Sequence, residues 1–296
     1  MWFKNITTYR LLNNDITFDN LIEAVENNLS KPIGKHDIKV VGWSTVSNEL
    51  EDLVLKTMGA FLLRLKIEEK VVPGSAVKER LDAELKKRFQ ATGEKLKKDE
   101  KEAIKDAIYA DLISKALSKT TYISGYIDIK NELVVVDTSS ENASHEFLMF
   151  LRDGLGELET EIVEPPFDSV QLMTSWLSQG SADAPFELGM DCVLKDQVDS
   201  STIRASKSDL SSDDINRHLR SGKLCEELSL NWHDRIDFSM NSKFQIKKIK
   251  FREVVTNQIV EDLGESDDAY SVMLSSMEIM VEDLAEVISD LLSMKN

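Results

Sequence analysis

The residues best suited to chemistry in this sequence are cations on a short apolar-cationic run. Lys243 to Arg252 holds five basic side chains and no acid. Read as a strand from Phe244 to Phe251 with period two, it sets Lys248, Lys250 and Arg252 on one face and Lys247, Ile249 and Phe251 on the other. Same-face neighbours then lie about 6.6 Å apart, a spacing at which successive cations can meet successive phosphates. Only Gln245 and Arg252 offer the forked groups used to read base edges, so the chemistry would be contact with a backbone rather than with a sequence. The competing reading is a solvated face, or an edge strand guarded by lysine.

A second cationic group spans two predicted helices. Lys86, Lys87, Arg88, Lys95, Lys97, Lys98, Lys101 and Lys105 are interleaved with Glu84, Glu94, Asp99, Glu100 and Glu102. Such mixing fits a salt-bridged solvent face as well as a phosphate-binding one.

Residues for catalysis are poorly arranged. His36, His145, His218 and His233 show no paired-ligand spacing, and His218, Cys225 and His233 match no common zinc pattern. Gly154 and Gly156 lack the third glycine of a dinucleotide fingerprint, and no P-loop or nucleophile elbow is present. Plentiful carboxylates in an acidic chain do not identify an acid/base pair. The expectation is a protein without catalysis or cofactor. Cys192 and Cys225 are too few for a secreted disulfide framework, and no apolar run reaches the roughly 20 residues of a bilayer span. The N-terminus lacks a signal-peptide pattern, so a reducing cytoplasm is expected.

The net charge of −17 would repel nucleic acid if spread evenly. It is concentrated instead: Glu253 to Asn296 carries eleven acids (Glu265 and Asp267 among them) against Lys295 alone. A basic surface can therefore coexist with an acidic total.

The elements that must hold these residues read as α+β. Ile16 to Leu29 has helical spacing, and Ile38 to Trp43 reads as a strand. Ala60 to Ile67 alternates, with Phe61, Leu63, Leu65 and Ile67 on one face. After Pro73-Gly74-Ser75, helices are predicted over Ala76 to Phe89 and Glu94 to Lys115, with Thr92 as cap of the second. Thr121 to Ile129 and Glu132 to Asp137 form a predicted hairpin through Lys130-Asn131. A helix over His145 to Leu155 stops near Gly156, and another opens in Asp209 to Ile215 and ends by Gly222. Glu187 to Asp196 resists assignment. Leu228 to Trp232 and Arg235 to Met240 read as strands. Tyr270, Met273, Met277, Met280, Leu284, Val287 and Leu291 make an apolar stripe expected to pack on the protein's own sheet.

Ordered strings along the whole chain resemble the RdgC family of bacterial recombination-associated proteins. They include Trp2-Phe3-Lys4-Asn5 with Tyr9-Arg10, Gly42-Trp43, and Glu68-Glu69-Lys70-Val71-Val72-Pro73. Lys95-Leu96-Lys97-Lys98, Val135-Val136-Asp137, Leu151-Arg152, Ile203-Arg204-Ala205, Leu230-x-Trp232 and Ile246-Lys247-Lys248-Ile249-Lys250-Phe251 follow in order. The resemblance implies a curved, horseshoe-like α+β subunit with mixed or antiparallel sheets and a helical tip, pairing into a ring-shaped homodimer. It implies that double-stranded DNA passes through the hole without sequence preference, in the nucleoid, and that the protein restrains the RecA recombinase. On that pattern 1–74, 121–180 and 226–252 form the body, 75–120 and 181–225 a mainly helical tip, and 253–296 an acidic helical segment.

Lys86, Lys87, Lys97, Lys98, Lys101, Lys247, Lys248, Lys250 and Arg252 would contact DNA. At the tip Leu117 would plug a subunit interface with Lys207 and Ser208 opposite; the family pattern has a larger aromatic and a glutamine where this chain has Leu117 and Ser208. The rival readings are an adaptor acting on recombination proteins through its acidic C-terminal helix, and an unrecognised hydrolase or nuclease.

Overall fold

The computed structural model describes residues 2–13, 15–57, 59–94, 96–263 and 268–294. Lys95 in the cationic string, and Glu265, Asp267 and Lys295 in the acidic segment, lie outside them. In chain order the first half holds β1 (Thr7–Leu11), α1 (Phe18–Glu26), β2 (Lys39–Ser44), β3 (Leu55–Lys56), β4 (Ala60–Lys70), α2 (Gly74–Thr92), α3 (Lys98–Lys115), β5 (Ser118–Asp128), β6 (Leu133–Val136) and α4 (Glu141–Leu155). The second half holds β7 (Thr160–Ile162), α5 (Ser169–Gln179), β8 (Phe186–Asp196), β9 (Thr202–Ala205), α6 (Asp213–Arg220), β10 (Lys223–Trp232), β11 (Ile236–Asn241), β12 (Ile246–Phe251), α7 (Glu253–Leu263) and α8 (Ala269–Ser293).

The class is α+β, and its strand ladders are antiparallel. One sheet runs β2-β4-β5-β6-β1-β7, with β3 added to β4; the other runs β12-β11-β10-β8-β9. Residues just before β1 join them: the Ile6 N–H donates to the Ile246 carbonyl (2.8 Å) and the Ile249 N–H to the Lys4 carbonyl (2.8 Å).

Alternation in β4 does what period two requires, on both faces. Phe61, Leu63, Leu65 and Ile67 enter one core with α1 and α4, whereas Ala60 and Leu62 enter a second. That second core gathers Tyr126, Trp176, Trp232, Phe238 and the α8 stripe. Along α8, Met273, Met277, Met280, Leu284, Val287 and Leu291 are buried as expected, while Tyr270 at its start is half-exposed. Each such side chain contributes about 1.5–3 kcal/mol of burial free energy, which holds an acid-rich helix on the sheet.

The predicted hairpin is β5–β6, and α4 stops at Gly156, whose φ of 80° suits glycine. Thr92 is not the cap of the second helix. It ends α2, donating its hydroxyl to the Arg88 carbonyl, and α3 starts only after Lys97, whose N–H donates to Glu100 Oε2 (2.8 Å).

The stretch 181–225 is not mainly helical. It holds β8, β9 and the start of β10, with α6 as its helix. Gly189 concealed β8: a glycine inside a strand reads as a breaker, but here a Cβ would lie 2.3 Å from Ser229 Oγ on the paired strand. The 75–120 stretch does fold as a helical hairpin, α2–α3, reached only through the ends of β4 and β5. Its buried residues are Val77 on α2 and Ile104 and Ile113 on α3.

Candidate nucleic-acid interface

The basic strand is present as β12, but its regular alternation is not. Lys248 adopts φ 53° at a bulge, where the register against β11 shifts between Lys250 opposite Asp237 and Lys247 opposite Ser239. Ile246, Ile249 and Phe251 are buried, so Lys247 and Lys248 share the extra turn between them. The cause is remote in sequence: Asn5 Oδ1 accepts from the Lys248 N–H (3.2 Å), while Lys4 takes the Ile249 N–H.

Two of the strand's cations are already met by carboxylates. Lys248 Nζ lies 2.6 Å from Glu227 Oε1. Arg252 donates to both Asp237 oxygens (2.8–3.1 Å) and to Asp234. Burial pushes the Asp237 carboxyl up, but hydrogen bonds from Arg252 and Asn231 outweigh it and hold the group below its usual range. Lys250 is exposed and Lys247 half-buried, and among the described residues neither is in an ion pair.

On the helical hairpin the balance is reversed. Among the described residues its ion pairs are Arg80–Asp111 (2.7 Å), Arg88–Glu84 (2.9 Å) and Lys115–Asp111 (2.6 Å). Lys86, Lys87, Lys97, Lys98 and Lys101 are all exposed, and none is in an ion pair among the described residues. The expected salt-bridge lacing therefore leaves out the five lysines assigned to DNA. Between α2 and α3 lies a cleft of about 790 Å³ lined by Ala83, Ile104 and Ala107 together with Lys87, Arg88 and the acids Glu84, Glu100 and Asp111.

Two further cations, the buried Arg64 and Lys66 paired with Glu68 (3.2 Å), are not among those the sequence singled out. Beyond Leu62, the β4 face that enters the second core continues as Arg64 and Lys66, facing Ser124 and Tyr122 across the ladder. Arg64 lies 4.4 Å from the Tyr122 ring centroid and donates to Asn48 Oδ1 (3.0 Å) and Ser44 Oγ (3.3 Å). Burial lowers the pKa of this guanidinium from its ordinary value. The alternation that placed Phe61, Leu63 and Leu65 also contained this face, as its unread half.

Leu117 follows α3 and is 87% exposed; its carbonyl accepts from the Val71 N–H (3.2 Å), and Val71 is exposed as well. Lys207 and Ser208 sit in a turn organised by Asp191, another residue that sequence reasoning passed over. Asp191 Oδ1 accepts from Ser206 Oγ (2.7 Å) and the Lys207 N–H (2.9 Å), with Lys207 at φ 51°. The Ser208 N–H donates to the carbonyl of Met190, itself exposed.

The bonds from Ser206 and Lys207 hold the Asp191 carboxyl below its usual range. Its stabilising contribution is thus present at neutral pH and lost as pH falls through that depressed value. Asp191→Ala is expected to speed hydrogen exchange at the Lys207 amide several-fold at neutral pH. Unchanged exchange would mean the turn holds itself.

Among the described residues, no group of three or more His, Cys, Asp or Glu is placed to hold a metal ion, and no helix is long and apolar enough to cross a membrane.

A family model described as "Putative exonuclease, RdgC" matches residues 1–295. Curated relatives from Salmonella paratyphi B, Salmonella typhimurium and Salmonella typhi are each named "Recombination-associated protein RdgC". Each is 32% identical over 299 residues, covering 97% of this chain and 97% of the relative. A match of this extent leaves no part of either sheet or of the helical hairpin outside the likeness, and the chain belongs to the RdgC family of recombination-associated proteins.

Proposed function

We propose that the protein binds double-stranded DNA without reading its sequence, as a homodimeric ring clamp that restrains RecA on the nucleoid. The observation that carries this reading is the set of exposed lysines on α2 and at the start of α3 that, among the described residues, have no carboxylate partner in a chain of net charge −17. Where acids outnumber bases, unpaired cations collected on one projecting element favour an anionic partner. Point charges on flexible stems suit a phosphate backbone rather than base edges. Leu117 and the Lys207–Ser208 turn supply exposed, preorganised surfaces for a second copy.

Binding is tested by its salt dependence. Log K should fall linearly with log salt, with slope about −0.9 per phosphate neutralised. Reversing Lys97, Lys98 and Lys101 to glutamate should flatten that slope by about 2 to 3 and weaken binding at low salt by a factor of a hundred or more. An unchanged slope would remove the hairpin from the DNA surface. The ring is tested by solution mass and by retention on closed circular duplex in high salt, which a clamp survives and an open binder does not.

A second reading has its own observation. Glu278, Glu282 and Glu286 on α8 line a cleft of about 520 Å³ with Lys130 and Asn131, a surface that could receive a basic protein segment. That adaptor would inhibit strand exchange equally on naked and on saturated DNA; the clamp would inhibit in proportion to DNA coverage.

A further inference from the structure

We propose that Tyr122, seated on Arg64, is a stacking site for an unpaired nucleobase of single-stranded DNA. The tyrosine stands on β5 and is 43% exposed, at the point where the exposed first half of the strand, Ser118 to Tyr122, gives way to the buried run Ile123 to Asp128. Arg64 beneath it is 9% exposed, and its partners are the neutral Asn48 and Ser44; no carboxylate pairs with it among the described residues. A sequestered cation without a counter-ion leaves its field on the surface above, which favours an anionic ligand there. Lys66 stands directly across the ladder from Tyr122 and pairs with Glu68 (3.2 Å), so the uncompensated charge here is that of Arg64; Thr120 is the next residue of β5 on the same face.

An exposed aromatic ring seated on a cation meets the two needs of a single strand: a π-face for the base and positive charge close to its phosphate. A cation–π pair can serve structure alone. Here the cation has no carboxylate partner among the described residues and the ring above it is open to solvent. An intact duplex keeps its bases stacked on each other, so the site goes beyond duplex holding while sharing its anionic ligand, and it rests on the DNA-binding reading only in that respect.

The test compares the full chain with Tyr122→Ala and Tyr122→Phe by fluorescence anisotropy. The probes are a thymidine homopolymer of about 20 nucleotides and a blunt duplex of similar length. Stacking predicts that Tyr122→Ala weakens the homopolymer about ten-fold or more, that Tyr122→Phe stays within about two-fold, and that duplex affinity stays within about two-fold for both. Equal binding of the homopolymer by Tyr122→Ala and the parent overturns the proposal. So does a Tyr122→Phe loss as deep as alanine's, a parallel loss on both DNA forms, or absence of homopolymer binding by the parent. If the parent binds the homopolymer but not the duplex, the clamp reading fails and the stacking site stands.

Discussion

Replacing Asp283 with alanine is expected to lower the unfolding free energy by about 3 kcal/mol, or the melting midpoint by about 5–10 °C. Asp283 projects from α8 and is 8% exposed; both its oxygens accept from Arg235 at 2.9–3.2 Å. Without it the half-buried guanidinium keeps, among the described residues, a long contact to Gln258 at 3.5 Å. The cost is that of leaving one charge of a desolvated pair, which exceeds what the pair itself contributes. Burial raises the Asp283 pKa more than Arg235 lowers it. The folded protein therefore takes up this proton before the unfolded chain does, and the residue's contribution grows as pH falls through the gap between ordinary and raised values. Asp283→Asn should be milder than alanine, since the amide oxygen still accepts from Arg235. Urea unfolding measures all three chains; coincident midpoints would show the pair to be effectively solvated.

The set Glu227→Gln, Asp234→Asn and Asp237→Asn should tighten duplex binding about ten-fold at low salt, with a slope steeper by about 1.8. In the folded chain these carboxylates pair with Lys248 and Arg252, cations that the proposed function assigns to phosphates. Partly solvated ion pairs of this kind are worth about 1 kcal/mol, so neutralising the acids frees two cations at modest cost to stability. Asparagine at 237 can still accept the Asn231 amide that Asp237 holds at 2.9 Å, which preserves the strand. Unchanged affinity and slope would show that β12 is the guarded edge of the sheet and that DNA is held elsewhere.

What could be read without coordinates was whatever local pattern determines. The β5–β6 hairpin, the stop of α4 at Gly156 and the buried stripe of α8 each follow from spacing within one element. What could not be read depends on partners far along the chain. The bulge at Lys248 answers to Asn5, the place of Gly189 within β8 to Ser229, and the Lys207 turn to Asp191. The cationic residue types in the candidate site were legible. Their state of charge compensation was not, because Glu227 and Asp237 reach Lys248 and Arg252 from other strands. Arg64 and Tyr122 meet only through the β4–β5 register.

Strand β4 places Leu62 in one apolar cluster and Leu63 in the other, and Tyr126 and Ile127 on β5 divide in the same way. Both clusters therefore share a wall, and no cut in the chain separates them. Fragments expressed on either side of such a cut would each lack half of their lining, so the molecule should melt in one step and resist dissection into autonomous halves.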